Sequence, residues 1–295
     1  MPFVLSDIIK HILIQTNKSK ECNIKPLTNS IDTELEQLRN TNNYRVDSAE
    51  NAYSGGMLSG PYNRKSQLQD KIAIKNPIIA LRNSNKISIN NEVSYFRGIF
   101  NIYNIKLKNT DDKIHFIAFE SPLMRKKKGG SSRKISLDLL GVMNKDIICI
   151  EGKVRQSGST NIQYALLEAF AYFYCIHWVL NDETLKKALI NEITSCVSRN
   201  IKSENNETYN NVKFLVAAPS NYYKNITKHD INITRLIENS ICNKYNNNFM
   251  GYLELPYIEL VKGGTNIENL SIPKFTDIGK ESTIHPSGWD FSQLN

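Results

Sequence analysis

The chain has 295 residues, a formal net charge of +8 and a pI near 9.1. Hydrophobic residues make up 40% and charged residues 22%. That is enough apolar material for a sizeable core, and it excludes collagen-like, disulfide-scaffold and fully disordered chains. Asparagine and lysine are both frequent, and both have A/T-rich codons. The positive charge therefore makes nucleic acid a candidate partner rather than a conclusion.

Residues 1–16 are apolar but carry Asp7, Lys10 and His11, with neither a basic leader nor a small-residue cleavage site. They read as an amphipathic helix with Val4, Ile8 and Ile12 on one face, not as a signal peptide. A second helix is expected over 32–39, and Ser54-Gly55-Gly56 and Ser59-Gly60-Pro61 mark loops. The spacing of Val93, Phe96, Phe100 and Tyr103 predicts a helix over 91–104. Residues 114–119 read as a strand, with Glu120 ending it before Ser121-Pro122, and 125–130 as a basic turn. Residues 134–142 and 146–154 read as two strands joined by Met143-Asn144-Lys145. Helices are expected at 161–180 and 183–198, then a polar linker over 200–211. A strand over 212–218, a helix over 231–245 and a last strand over 250–255 follow. From Lys262 onward the chain is punctuated by Gly, Pro and Ser and reads as a tail or lid.

The most apolar stretch, 165–180, is interrupted by Glu168 and His177 and is shorter than the roughly 20 residues of a bilayer span. It is expected to be a buried helix, with no membrane partner. Cys22, Cys149, Cys175, Cys196 and Cys242 are scattered and form no C-x-x-C pair. That favours a reducing cytoplasm over a disulfide framework or a zinc site. The order of elements predicts an α/β fold, a mixed central sheet flanked by helices on both faces. Right-handed crossovers would lay the long helix across that sheet.

One constellation carries chemistry. Asp138 lies inside the apolar strand Ser136-Leu137-Asp138-Leu139-Leu140, where an uncompensated carboxylate is costly. In the next strand four apolar residues lead into Glu151-Gly152-Lys153. A period of two puts Glu151 and Lys153 on one face, and hairpin pairing would set Asp138 beside Glu151. Two carboxylates at one sheet edge repel, so a divalent cation is the natural compensation, and hard oxygen ligands suit Mg2+ or Mn2+. The lysine would orient or help deprotonate an attacking water, or steady a phosphate oxygen. A second acid-x-lysine match, Asp111-Asp112-Lys113, lies in a polar turn and lacks this setting. The bland alternative for Glu151 and Lys153 is an ordinary salt bridge at a sheet edge.

This pattern resembles the PD-(D/E)XK, or restriction-endonuclease-like, nuclease superfamily. The resemblance spans roughly residues 88–255. It implies a nuclease core at 88–255, an N-terminal helical and irregular extension at 1–87 for recognition or partner binding, and a C-terminal tail at 256–295. It implies that Asp138 and Glu151 are metal ligands and Lys153 the catalytic lysine, with Leu137 where the family often has proline. Glu92, on the preceding helix, would add a ligand or hold a metal-bound water. Gln163, opening the helix after the lysine strand, would face the metal site or the nucleic-acid backbone. The expected activity is Mg2+-dependent endonucleolytic hydrolysis of DNA phosphodiesters, in restriction or anti-phage defence.

The basic cluster Arg125, Lys126, Lys127, Lys128, Arg133 and Lys134 flanks the catalytic hairpin, and Arg155 follows the lysine strand. Such cations attract phosphates mostly without sequence preference. No P-loop or other cofactor fingerprint occurs, so any helicase or ATPase acting as a regulatory partner would be a separate chain. A homodimer would suit the cutting of both strands. The alternative is a non-catalytic nucleic-acid-binding or protein-interaction module on the same fold.

Overall fold

The computed structural model describes residues 4–40, 92, 96, 99–100, 104–124, 135–154, 161–198, 209, 211–245, 247–255, 258–261, 272–275 and 281–294. Two helices, α1 (Leu5–Ser19) and α2 (Lys25–Asn40), come first. Four strands follow: β1 (Asn104–Lys106), β2 (Lys113–Met124), β3 (Ile135–Met143) and β4 (Asp146–Gly152). Next come α3 (Ile162–Leu180), α4 (Glu183–Ser198), β5 (Asn211–Pro219), α5 (Ser220–Lys224), α6 (Lys228–Tyr245) and β6 (Phe249–Leu255). The described chain closes with β7 (Ile258–Val261), β8 (Ile272–Phe275), β9 (Thr283–His285) and a 3-10 turn at Phe291–Leu294.

Seven strands form one mixed sheet in the order β1-β2-β3-β4-β5-β6-β9, and β7 and β8 pair separately. From β1 to β4 the neighbours are antiparallel. The β3–β4 connection is a tight turn in which Asn144 takes a left-handed φ of 53°, a conformation asparagine tolerates better than most residues. β4, β5 and β6 are parallel, because helical crossovers separate them in sequence. The mixed sheet with flanking helices is the expected α/β class.

Alternation along β4 assigns the two faces. Ile147 and Cys149 join the cluster built on α3, and Ile148 and Ile150 join the other. The α3 face also takes Ile9 and Ile12 of α1 and Leu27, Ile31 and Leu35 of α2. Tyr174 on α3 donates to Asp32 on α2 at 2.9 Å. The N-terminal helices thus spend their apolar faces on the same core as the sheet. On the opposite face, Phe96, Ile99 and Phe100 pack with residues from β1 to β6. Helix α3 owes its burial to composition: it is apolar nearly all round, and Asn161 caps its start by accepting from the Tyr164 N–H at 2.8 Å.

Three expectations need correction. β2 does not end at Glu120 but continues through Ser121 and Pro122 to Met124, still paired with β3. The ladder shifts register between Pro122 and Met124, an irregularity that accommodates a residue with no N–H. A short strand, β1, begins at Asn104, where the predicted helix was to end. β6 is not the last strand, and residues 281–294 are not a loose tail. β9 pairs with β6, and Phe291 is buried against Tyr223 and Tyr252. Gly251 permits that pairing: its φ is 111°, and a Cβ there would sit 2.0 Å from the His285 carbonyl oxygen. A parallel bridge between Leu107 and Ser282 makes the two outer edges of the sheet touch.

The closing segment is fixed at a second point by Glu238 of α6, which is 3% exposed. Its carboxylate accepts from the Tyr252 hydroxyl, from Ser287 Oγ at 2.9 Å and from the Gly288 N–H at 2.6 Å. His285 stacks on Trp289 and contacts Glu254 at 2.9 Å.

Candidate active site

The β3–β4 register sets Leu139 opposite Ile150 and Leu140 opposite Cys149, so Asp138 comes level with Glu151. Both project on the α3 face, together with Lys153. Gly152, between the two charged residues, faces the other way. A Cβ there would sit 2.0 Å from the Phe96 ring. Glycine lets Phe96 pack on the strand. Glu92, helical and four residues before Phe96, is thereby brought to the end of β4.

Lys153 is the centre of the group. Its Nζ lies 2.6 Å from Glu151 Oε1, 3.1 Å from Glu168 Oε2 and 3.6 Å from Glu92 Oε1. Asp138 Oδ2 accepts from the Gly152 N–H at 2.9 Å. Glu151 and Lys153 are buried, at 3% and 5% exposure. Three carboxylates therefore meet one ammonium, and Asp138 adds a fourth acid nearby. Glu151 Oε2 is buried with no hydrogen-bond partner among the described residues.

The electrostatics follow from burial and crowding. Burial lifts Asp138 from the ordinary carboxylate range to about 7; Lys153 opposes the rise and Glu92 adds to it. Burial, then Asp138, push Glu151 well above its usual range. Glu92 is raised by burial as well, against the pull of Lys153. For Lys153 burial disfavours the charge, but Glu151, Glu168, Asp138 and Glu92 together outweigh it and hold the ammonium well above the usual lysine value. Tyr172, one turn beyond Glu168, has its hydroxyl held well above the usual tyrosine range by burial and then by Glu151 and Glu168.

The structure thus gathers Asp138, Glu151, Lys153 and Glu92. It places Gln163 differently from the expectation. Gln163 is buried, and its Nε2 donates to Asp230 Oδ1 at 2.8 Å and to the Asp230 carbonyl at 3.3 Å. That amide ties α3 to the start of α6. The α3 residue that reaches Lys153 is instead Glu168, which carried a signal in the sequence as the one acid in an apolar helix. Arg125, Lys126, Lys127, Lys128, Arg133, Lys134 and Arg155 lie outside the described residues. His177 behaves as a packing residue: it stacks on Phe173, and burial lowers its pKa.

Among the described residues no three His, Cys, Asp or Glu side chains stand ready as a metal cage. The donor set nonetheless fits a hard divalent cation. Asp138 and Glu151 offer carboxylate oxygens, acids outnumber the lysine, and one buried oxygen of Glu151 has no partner. No helix among the described residues is long and apolar enough to cross a membrane. Comparisons with protein families, with curated proteins and with solved structures found no match.

Proposed function

We propose that the chain is a metal-dependent nuclease of the PD-(D/E)XK type that hydrolyses phosphodiester bonds in DNA. The observation that carries this reading is Glu151. It is a buried carboxylate bonded through one oxygen to Lys153, level with Asp138, and its other oxygen is unpartnered among the described residues. Asp138 and Glu151 would hold Mg2+ or Mn2+. Bound there, the cation would polarise the phosphodiester and stabilise the leaving oxygen.

The chain's own groups do the rest. Lys153, kept protonated by its acids, orients the attacking water or steadies a phosphate oxygen. Glu92, 28% exposed, would hold a water beside the cation. Restriction and partner-controlled defence both fit this chemistry. A defined cut ladder supports the first; smearing, or silence until a partner is added, supports the second.

The test is incubation of the purified protein with plasmid and linear DNA in Mg2+ or Mn2+. Cleavage by the wild type and its loss in Asp138→Ala and Lys153→Ala are expected. Cleavage that persists in either variant overturns the assignment. Salt-dependent DNA binding without cleavage in either metal replaces it with a binding module.

A further inference from the structure

Lys153 has three N–H donors and three acids within reach, and they come from different elements: β4 itself, α3, and the helical residue Glu92. Glu151 is a neighbour on the same strand and moves with the lysine backbone. It constrains where the long, flexible side chain ends only weakly. Glu168 is different. It belongs to a helix packed across the sheet, is 17% exposed, and lies between the buried residues Leu167 and Ala169. A carboxylate at that point of an apolar helix is disfavoured unless a cation meets it, and Lys153 at 3.1 Å is that cation.

We propose that Glu168 is a positioning residue for Lys153, drawing the ammonium toward α3 so that Glu151 engages it through one oxygen only. The contact itself is a matter of geometry; its consequence for cleavage rests on the nuclease reading above. Without Glu168, Lys153 keeps Glu151 at 2.6 Å and Glu92 at 3.6 Å, loses its one tie to α3, and settles against Glu151. Its Nζ then leaves the position from which it serves a water or phosphate, and a misplacement of about 1 Å can cost about a hundredfold in rate.

Two measurements test this on the full chain. The first is NMR of protein labelled at lysine Nζ. Lys153 should give a resolved ammonium signal, assigned by its absence in Lys153→Met, which disappears or moves in Glu168→Gln. The second is the single-turnover cleavage rate in Mg2+. Glu168→Gln should lose between about tenfold and a hundredfold, with DNA affinity kept. Lys153→Met/Glu168→Gln should be no slower than Lys153→Met alone. Glu168→Asp keeps the charge but shortens the reach, and should recover only part of the rate.

An unchanged ammonium signal in Glu168→Gln overturns the proposal. So does a changed signal with full cleavage, or full rescue by Glu168→Asp, which would make Glu168 a neutralising charge only. If the wild type cleaves no DNA even when a partner is added, the nuclease reading falls, and the ammonium signal alone decides whether Glu168 places Lys153.

Discussion

Glu151 and Glu238 are each 3% exposed, and they are held in opposite ways. Glu238 meets neutral donors from β6 and from the closing segment: the Tyr252 hydroxyl, Ser287 Oγ and the Gly288 N–H. Hydrogen bonds from neutral groups replace the water it lost, and no other carboxylate is among those partners. Glu151 instead sits beside Asp138, shares Lys153 with Glu168 and Glu92, and has an oxygen with no described partner. The first arrangement stabilises the fold. The second is a local conflict that the rest of the core holds in place, as a site prepared for another ligand does.

The largest expected effect lies at Glu151's end of this contrast. If the proposed nuclease reading holds, Asp138→Ala and Lys153→Ala should each reduce Mg2+-dependent cleavage by at least about a hundredfold, while Glu238→Gln leaves the rate of the folded protein near wild type. A folded Glu238→Gln protein as inactive as Lys153→Ala would erase the distinction.

Stability should show the reverse. Glu238→Ala strips three donors of a charged acceptor and should cost about 3 kcal/mol or more in chemical denaturation, since two of those donors anchor the closing segment.

A smaller effect is pH-dependent. Asp138 is raised to about 7 in the folded chain, whereas its unfolded value lies in the ordinary carboxylate range. Between those values the folded chain keeps a proton that the unfolded chain has released. Stability in the presence of a chelator should therefore fall, by a few kcal/mol, as pH rises toward 7. Asp138→Asn should weaken that dependence, with Glu151 and Glu92, both also raised, keeping the remainder, and be the more stable protein at neutral pH. Parallel pH profiles for the two would show that burial does not strain Asp138.

The smallest effect should come from the exposed pair between Lys106 and Glu281 at the seam of the sheet. Glu281→Gln should leave the unfolding midpoint where it was, because water screens such pairs.

Much of the site was legible in the sequence because strands have a fixed period. Asp138 in one apolar strand, Glu151 and Lys153 in the next, and a short polar turn between them leave little freedom in the pairing. Gln163 and Glu168 were harder. Both lie on α3, and which of them faces Lys153 depends on how the helix is rotated over the sheet. That rotation is set by the packing of Phe170 and Phe173 against Phe214 of β5, a contact distant in sequence. Glu168 advertised itself only as a charge in an apolar run.

The sequence by itself determined the α/β class, the hairpin that carries Asp138 and Glu151, the long buried helix and the residue types that meet at the candidate site. Each follows from local periodicity and from the free energy of burying charge. Only the tertiary structure decided the rest. It set α1 and α2 onto the α3 face, carried the closing segment back to β6 and β1, turned Gln163 toward Asp230 and brought Glu168 to Lys153. Those outcomes depend on contacts between distant residues, where packing and the satisfaction of buried polar groups choose among arrangements that local pattern leaves equal.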